Sequence, residues 1–579
     1  MRVSRWVTPF AILLAVAACT STTTDPTTEP SPTTPEATTT TEAPEDDSDT
    51  TATTVEDAAA GPEGQKYGGE LRLTGYNPPH FDAHSTTTNI KIVGNVNNRL
   101  IHLDTETGTE IAPDLAESWE YSENNTVITF ALRSGVTFHD GTALTCTDVK
   151  YSFDRQIDPV EGFNAAYGGE LRANIGDIAC PDDLTVVFNL KHTWPEALFV
   201  IGSVYQVIYP EHVARPLDES GEFMNNTLIG TGPFMLEELI PGERIVLERN
   251  DDYWNEGLPY LDKVIHFFTD TADVRSWASS FAAGQIDVIM AVDSPTIFKE
   301  LTVTAGDQWK THSAPGSYLS AFVPDMKAGS IWNDIDVRRA AALALVQDEA
   351  IEVLCVTSFI CWSGGALQLP DVNPFGLPHE EVLEFSGYGG EADARREEAR
   401  QILEEKGLVG HEFKMHYWSG FTPSRDTALW ACDALNKVGF VCSSQGYETA
   451  VYYGMINAKQ MPTGDATGMV MGGSWPAVLA DTSLSQFWTQ DGVRNYGDYK
   501  DAHTQELFEA QSTEADPEKR KELIDEFQKY ALSQYYHVAI GWRGTGRAWW
   551  SFVRGPGHDD STLTMTTWPS KYEAVWLDK

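Results

Sequence analysis

The chain has 579 residues and a formal net charge of -45 at pH 7, from 85 acidic and 40 basic side chains. Nucleic acid is excluded as a partner, because phosphate recognition needs clustered Lys and Arg and no basic stripe occurs. Apolar residues make up 41% of the sequence, which is enough for two or three domains. The acidic surplus is typical of an exported protein that must stay soluble.

The first 18 residues have the pattern of a signal peptide. Arg2 and Arg5 precede an apolar run, and the small residues Ala17 and Ala18 lead directly into Cys19. The apolar run is too short to span a membrane comfortably, and polar threonines follow at once. The sequence therefore predicts that residues 1–18 are removed and that the chain is exported.

The residues from Val16 to Cys19 resemble the lipobox of bacterial lipoproteins, in which the cysteine thiol is acylated. An ordinary cleavage site with a cysteine nearby is the alternative. The resemblance implies that Cys19 carries the lipid, and stable attachment needs more than one acyl chain. Lipidated Cys19 would then be the only attachment of the protein to a membrane.

A tether is predicted to follow Cys19, up to residue 65. It consists mainly of Thr, Pro, Glu, Asp and Ala and contains no Lys or Arg. Such a composition cannot bury enough apolar surface to offset chain entropy, so we expect disorder over residues 19–65.

Six cysteines remain once Cys19 is assigned to lipid, and an even number in an exported chain suggests disulfides. Six cysteines allow 15 connectivities. The simplest prediction pairs sequence neighbours: Cys146 with Cys180, Cys355 with Cys361, and Cys432 with Cys442. Zinc is the competing explanation, but the spacings are irregular and no CxxC occurs.

Alternating and helical patterns predict a mixed α/β fold. Period-2 alternation predicts strands at Ile128 to Leu132 and at Leu184 to Leu190. The dipeptide Pro241-Gly242 separates two strand-like runs and predicts a β-hairpin.

Two helices have clear signals in the second half of the chain. One is predicted to begin with Asp516 as cap and Pro517 at its first position, and its apolar face comprises Leu523, Ile524, Phe527, Tyr530 and Ala531. The other is predicted from Asp393 to Lys406 and ends at Gly407. Its buried stripe comprises Ala399, Ile402 and Leu403.

An ordered set of short motifs resembles the oligopeptide- and dipeptide-binding proteins of ABC importers, also called extracellular solute-binding protein family 5. The resemblance covers the chain from about Tyr67 to near its C-terminus. Its main motifs are Pro113 to Glu120, Phe138 to Gly141, Asp148 to Phe153, Gly230 to Phe234, Arg249 to Trp254, Gly284 to Asp287 and Asp336 to Ala340. Most of these residues are expected to be structural, in turns, caps and cores.

The resemblance implies an α/β, two-lobed periplasmic-binding-protein-like fold of type II, with an extra subdomain, that closes about a hinge on its ligand. The expected division of the chain is a discontinuous lobe I of residues 66–98, 226–311 and 541–579, an inserted subdomain of residues 99–225, and lobe II of residues 312–540.

Five residues are candidate ligand contacts. In peptide-binding relatives an acidic residue shortly after a tryptophan of lobe II pairs with the ligand amine, and Trp475 fits this tryptophan. The acid that follows this tryptophan closely in peptide-binding relatives is missing, and Asp481 belongs to a neighbouring structural motif in this interpretation. Tyr318 and Trp418 could stack on a ligand, while His84 and Asn97 could hydrogen-bond to it.

The function implied by the resemblance is capture of a peptide, or alternatively of an oligosaccharide or other small solute, for an ABC permease and its ATPases. We expect a monomer with no cofactor, no metal and no enzymatic activity. A secreted hydrolase is the alternative from another class, although neither GxSxG nor HExxH occurs. A sensor that binds without transport is a third hypothesis.

Overall fold

A computed structural model describes residues 64–85, 90–104, 110–122, 124–163, 165, 167–269, 274–292, 295–306, 308–358, 360–363, 375–472, 480–492, 494–559 and 571–579. The predicted signal peptide, Cys19 and all but the last two residues of the predicted tether lie outside these ranges.

Nineteen strands occur within the described ranges: β1 Glu70–Tyr76, β2 Ile101–Leu103, β3 Ile111–Pro113, β4 Ala116–Tyr121, β5 Val127–Leu132, β6 Ile175–Asp182, β7 Thr185–Leu190, β8 Phe234–Ile240, β9 Arg244–Arg249, β10 Lys263–Thr269, β11 Val288–Val292, β12 Trp309–Pro324, β13 Ile360–Trp362, β14 Glu412–Trp418, β15 Val441–Tyr447, β16 Ala466–Gly472, β17 Val538–Trp550, β18 Val553–Arg554 and β19 Trp576–Leu577.

Sixteen α-helices occur within the same ranges: α1 Ile90–Val96, α2 Cys146–Ile157, α3 Gly168–Asn174, α4 Ala197–Ile201, α5 Glu211–Ser220, α6 Val274–Ala282, α7 Pro295–Thr304, α8 Ile335–Ala344, α9 Gln347–Ser358, α10 His379–Leu383, α11 Ala392–Lys406, α12 Thr422–Val438, α13 Thr449–Asn457, α14 Ala480–Phe487, α15 Ala502–Ser512 and α16 Pro517–Gln534. Single 3₁₀ turns lie at Phe223–Asn225 and Ile331–Asn333.

The largest sheet has the strand order β15-β14-β16-β12-β17-β11-β1-β10-β9-β8, and β13 also pairs with β17. Its two longest strands, β12 and β17, are antiparallel partners in the middle of this order. The C-terminal part of β12, from Tyr318 to Pro324, pairs with β16. The C-terminal part of β17, from Gly546 to Trp549, pairs with β11. The register of the central pair shifts between Ala314 and Tyr318, so the two strands link the two halves of the sheet through an irregular segment.

A separate four-stranded sheet has the order β4-β5-β7-β6. Alternate residues of β5 and β7 are buried, as the predicted half-buried strands require. Leu184 departs from the prediction, since it lies in a turn and is 37% exposed. Its backbone N–H donates to the Asp182 carboxylate, which closes the turn before the strand begins.

Both predicted helices form, and the predicted hairpin is the β8–β9 pair. The Asp516 carboxylate accepts hydrogen bonds from the first backbone N–H groups of α16, while Gly407 ends α11 in the left-handed conformation with φ of 68°. On α16, Ile524, Phe527 and Ala531 are buried. Leu523 and Tyr530 of the predicted face are only partly buried.

Three hydrophobic cores account for most of the buried side chains. One is formed by residues between Leu319 and Trp542, a second by residues between Leu100 and Ile208. The third combines Leu71 to Val96 with residues 151–290 and Trp549 to Leu577, which brings chain segments far apart in sequence into one core.

The six cysteines pair as the sequence predicts. Disulfides join Cys146 to Cys180, Cys355 to Cys361 and Cys432 to Cys442. The first links α2 to β6, and the third links α12 to β15. Over the described part of the chain, none of the helices has the length and apolarity that crossing a membrane requires.

Candidate ligand-binding site

Two aromatic residues and an arginine meet at the irregular segment of the central strands. Tyr318 of β12 lies directly opposite Arg543 of β17. The Arg543 guanidinium carbon is 5.6 Å from the centroid of the Tyr318 ring and 5.0 Å from that of Phe421. These distances are within the range of cation–π attraction, so one arginine orients two rings.

Trp418, the last residue of β14, packs against Phe421 and so belongs to the same group of rings. Its ring centroid is 4.9 Å from that of Phe421 and 5.5 Å from that of Tyr453. The indole Nε1–H donates to Thr449 Oγ1 at 2.8 Å, which fixes the ring plane. Trp418 is half-buried, so part of its face remains available for contact.

Two further tyrosines come from the segment between residues 99 and 225. The rings of Tyr167 and Tyr205 stack with centroids 5.2 Å apart. The pKa of Tyr205 is raised well above its usual range by burial, then by the neighbouring phenols of Tyr167 and Tyr318. Burial raises the pKa of Tyr453, the Arg494 charge opposes this shift, and Tyr318 adds to it. The phenols therefore lie near one another, although their elements are distant in sequence.

We call this group the aromatic cleft. It comprises Tyr167 and Tyr205 from residues 99–225, and Tyr318, Trp418, Phe421 and Tyr453 from residues 312–540. Rings from two separate segments of the chain lie near one another here, and a group of aromatic rings can contact a flat or apolar part of a ligand.

A second arginine, Arg547, lies four positions after Arg543 on β17 and is 2% exposed. Burial lowers the pKa of Arg547 to about 10. The pKa of Lys91 on α1 lies well below its usual range because of burial and because of the Arg547 charge. Arg547 and Lys91 therefore lie close together, and the Arg547 charge favours the neutral form of Lys91.

His84, a candidate ligand contact, is fully buried and its ring already has protein partners. Arg155 donates to Nδ1 at 2.9 Å, which leaves Nε2 to donate to the Val207 carbonyl at 3.0 Å. Burial, followed by the Arg155 charge, lowers the pKa of His84 to about 4. The imidazole is thus part of the ion-pair network of Arg155 with Asp82 and Asp218.

Asn97 is similarly enclosed. Its side chain is 1% exposed and its Nδ2 donates to the Val93 carbonyl at 3.2 Å. A Cβ atom at Gly230 would lie 2.2 Å from Asn97 Oδ1, so the amide packs directly against the Gly230 backbone. The structure thus brings together Tyr318 and Trp418, and it places His84 and Asn97 beneath the surface.

Trp475 lies outside the described residues, so its role stays a prediction. Asp481 is described, and its carboxylate accepts hydrogen bonds from Gln511 and Arg520 at 2.6 and 3.0 Å. Those contacts agree with the expectation that Asp481 belongs to a structural motif.

Four members of the aromatic cleft were not predicted from the sequence: Tyr167, Tyr205, Phe421 and Tyr453. Each is one aromatic residue among many, without a spacing that distinguishes it from a core residue. Their proximity arises from tertiary contacts between distant segments. Within the described ranges, His, Cys, Asp and Glu side chains form no group of three that could hold a metal ion.

The fold is that of known solute-binding proteins. An ABC transporter substrate-binding protein from Listeria monocytogenes matches with a TM-score of 0.74 at 20% identity, covering 89% of this chain and 100% of that one. A periplasmic binding protein from Helicobacter pylori, solved in complex with the peptide STSA, matches with a TM-score of 0.71 at 21% identity, over 89% of this chain and 99% of that one. The class is thus the periplasmic-binding-protein-like α/β fold, as predicted.

Sequence comparison gives the family. The sequence profile described as "Bacterial extracellular solute-binding proteins, family 5 Middle" matches residues 110–496, and the chain belongs to this family. Di/tripeptide-binding protein 3 of Pseudomonas aeruginosa (strain UCBPP-PA14) is 25% identical over 462 residues, which covers 76% of this chain and 82% of that protein.

Proposed function

We propose that the chain is the peptide-binding component of an ABC importer and that it encloses its ligand in the aromatic cleft. The observation that carries the proposal is the meeting of rings from residues 99–225 with rings from residues 312–540 beside Arg543. Family membership and the peptide-binding relatives support a peptide as the ligand.

Closure in this proposal occurs about the central strands β12 and β17. Residues 66–98, 226–311 and 541–579 form lobe I, residues 99–225 its inserted subdomain, and residues 312–540 lobe II. Two hydrophobic cores support this division, since one lies between Leu319 and Trp542, nearly the range of lobe II, and another lies between Leu100 and Ile208, within the subdomain. The register shift between Ala314 and Tyr318 supplies a local irregularity at which the strands can bend.

The chemistry of the cleft suits a short peptide. The rings cover apolar side chains with little selectivity for their identity, and the Arg543 guanidinium beside them is suited to the terminal carboxylate. Only a ligand that contacts both lobes stabilises the closed form, so binding and closure are the same event. The permease would then distinguish loaded from empty protein by shape.

The remaining parts of the proposal come from the N-terminal sequence. Acylated Cys19 anchors the protein to the outer face of the cytoplasmic membrane, and residues 19–65 let the folded part reach the permease. The protein acts as a monomer and leaves its ligand chemically unchanged, in contrast to a hydrolase.

An oligosaccharide is the second candidate ligand, favoured by the exposed part of the Trp418 ring and its neighbour Tyr318, since aromatic faces also stack on sugar rings. A sensor role would use the same cleft without transport.

Uptake in the bacterium that encodes the chain tests transport. Cells lacking the gene are expected to lose import of radiolabelled trialanine, and the intact gene is expected to restore it. A Cys19→Ser variant is expected to restore less, because the protein would leave the membrane. Import that is unaffected by deletion would contradict the proposal and favour a sensor.

A further inference from the structure

A buried carboxylate joins two distant parts of the chain. Glu196 immediately precedes α4 and is 1% exposed. Its Oε1 accepts hydrogen bonds from the backbone N–H groups of Ala480 and Asp481 at 2.8 and 3.2 Å, which are the first N–H groups of α14. Arg520 Nη2 donates to the same oxygen at 2.6 Å. One carboxylate thus receives three donors from residues about 284 to 324 positions later in the chain.

The partners of Glu196 are held in place independently of it. Arg520 on α16 also donates to the Asp481 carboxylate at 3.0 Å, and its Nε donates to Gln511 Oε1 at 3.3 Å. The Arg520 guanidinium carbon lies 5.1 Å from the centroid of the Phe375 ring. Arg520, held by Asp481 and Gln511, and the first N–H groups of α14 therefore form a site for a carboxylate, which we call the socket. The Glu196 carboxylate occupies this socket.

Glu196 belongs to the proposed inserted subdomain, whereas the socket belongs to the proposed lobe II. We propose that Glu196 is a latch that fastens the closed form and that closing it takes up a proton. This inference rests on the proposed closure of the two lobes, but it requires no particular ligand. In the open form the socket would be empty and Glu196 would face water.

The charges at the latch do not balance. Two carboxylates, Glu196 and Asp481, share a single guanidinium, that of Arg520, and Glu170 on α3 adds a further negative charge nearby. A buried site with surplus negative charge favours protonation. Burial, followed by repulsion from Asp481, raises the pKa of Glu196 to about 8, against the opposing attraction of Arg520.

The direction of the pH effect follows from the two states. Glu196 facing water in the open form has its ordinary pKa of 4.5, whereas latched Glu196 has a pKa of about 8. Between these values the closed form binds more protons than the open form, so falling pH favours closure. For one proton the ratio of closed to open molecules rises by up to about tenfold for each pH unit.

Small-angle X-ray scattering of the full chain without peptide, from pH 9 to pH 5, measures this ratio through the radius of gyration. We expect the wild-type radius to fall as pH decreases. Glu196→Gln is permanently uncharged and keeps an oxygen that can accept from Arg520, so its radius should be independent of pH and smaller than the wild-type radius at pH 8 to 9. Glu117→Gln, on the exposed face of β4, is the matched control and should behave as wild type.

Hydrogen exchange at pH 7 supplies a second measurement. The amides of Ala480 and Asp481 should exchange faster in Glu196→Ala than in Glu117→Ala, because they lose their acceptor. Amides in the interior of α16 should be unchanged, which separates loss of the latch from loss of the fold.

A wild-type radius that does not change with pH would overturn the proton coupling, as would a Glu196→Gln variant that keeps the wild-type pH response. Unchanged exchange at residues 480 and 481 in Glu196→Ala would overturn the latch. Failure of peptide import with an intact pH response would instead contradict the proposed function and leave the latch standing.

Discussion

Single side chains of the aromatic cleft differ in how much protein already surrounds them. Tyr205 is 5% exposed, whereas Tyr318 and Trp418 are half-buried and keep surface that a ligand can cover. The half-buried rings should therefore contribute most to binding, because only they lose water-exposed area when the ligand arrives. Tyr205, which is buried, supports them by stacking on Tyr167.

Trp418→Ala should weaken binding of trialanine, the peptide of the uptake test, by roughly tenfold, the loss expected for one aromatic contact. Calorimetry measures the affinity. Tyr121→Ala, which removes an exposed ring on β4, is the control and should leave the affinity unchanged. Equal affinities for both variants would remove Trp418 from the site.

Trp475→Ala is predicted to weaken ligand binding while leaving the fold largely intact. The prediction comes from family resemblance alone, because Trp475 lies outside the described residues. Thermal unfolding should occur at nearly the wild-type temperature, and the affinity measured by calorimetry should fall. An affinity equal to that of wild type would mean that another residue fills this position.

Elements with strong local signals were predictable from the sequence. The β8–β9 hairpin and α16 form where the turn dipeptide and the Asp516 cap place them, because those signals act within a few residues. The three disulfides were also predictable, since each joins the cysteines nearest in sequence.

The candidate site was only partly predictable. Tyr318 and Trp418 were predicted as ligand contacts because they are aromatic residues in the expected second lobe, but the same reasoning gave no way to single out Tyr167 or Glu196. His84 appeared available in sequence, yet Arg155 and Val207 occupy its ring nitrogens. In each case, contacts with residues far away in the sequence determine where the side chain lies and which groups it binds.

Disulfides provide a prediction at the level of elements. The Cys146–Cys180 bond closes a loop between residues 34 apart, and Cys355–Cys361 one between residues 6 apart. Loop-closure entropy in the unfolded chain then stabilises the fold by about 4 and about 2 kcal/mol, respectively. Replacing each pair by Ala and measuring urea unfolding should give the larger loss for Cys146–Cys180. The reverse order would contradict the entropic account.

For the whole molecule, buried histidines predict how stability depends on pH. Burial lowers the pKa of five imidazoles to about 3 or 4: His84, His102, His266, His537 and His558. The unfolded chain binds protons at these groups near pH 6.5, so below that pH the unfolded state holds more protons. Stability should fall as pH decreases from about 6.5 toward 4.

A substitution at His537 measures how much one buried histidine contributes to the pH dependence of stability. Its ring packs 4.5 Å from that of Trp488, and neither ring nitrogen has a hydrogen-bond partner among the described residues. His537→Phe should reduce the loss of unfolding free energy between pH 7 and pH 5.5 by about 1.4 kcal/mol. His192→Phe, at an exposed position, is the control and should leave that loss unchanged. An unaltered pH dependence in His537→Phe would contradict burial of a neutral imidazole.

The central claim is that the folded protein encloses a peptide, and native mass spectrometry of the exported full chain tests it most directly. Enclosed ligands exchange slowly, so the account predicts small adducts on the intact protein that fragment as peptides and that decrease in the Trp418→Ala variant. Adducts spaced by sugar units would contradict the peptide assignment and favour an oligosaccharide. Adducts retained equally by Trp418→Ala would contradict the location of the site in the aromatic cleft.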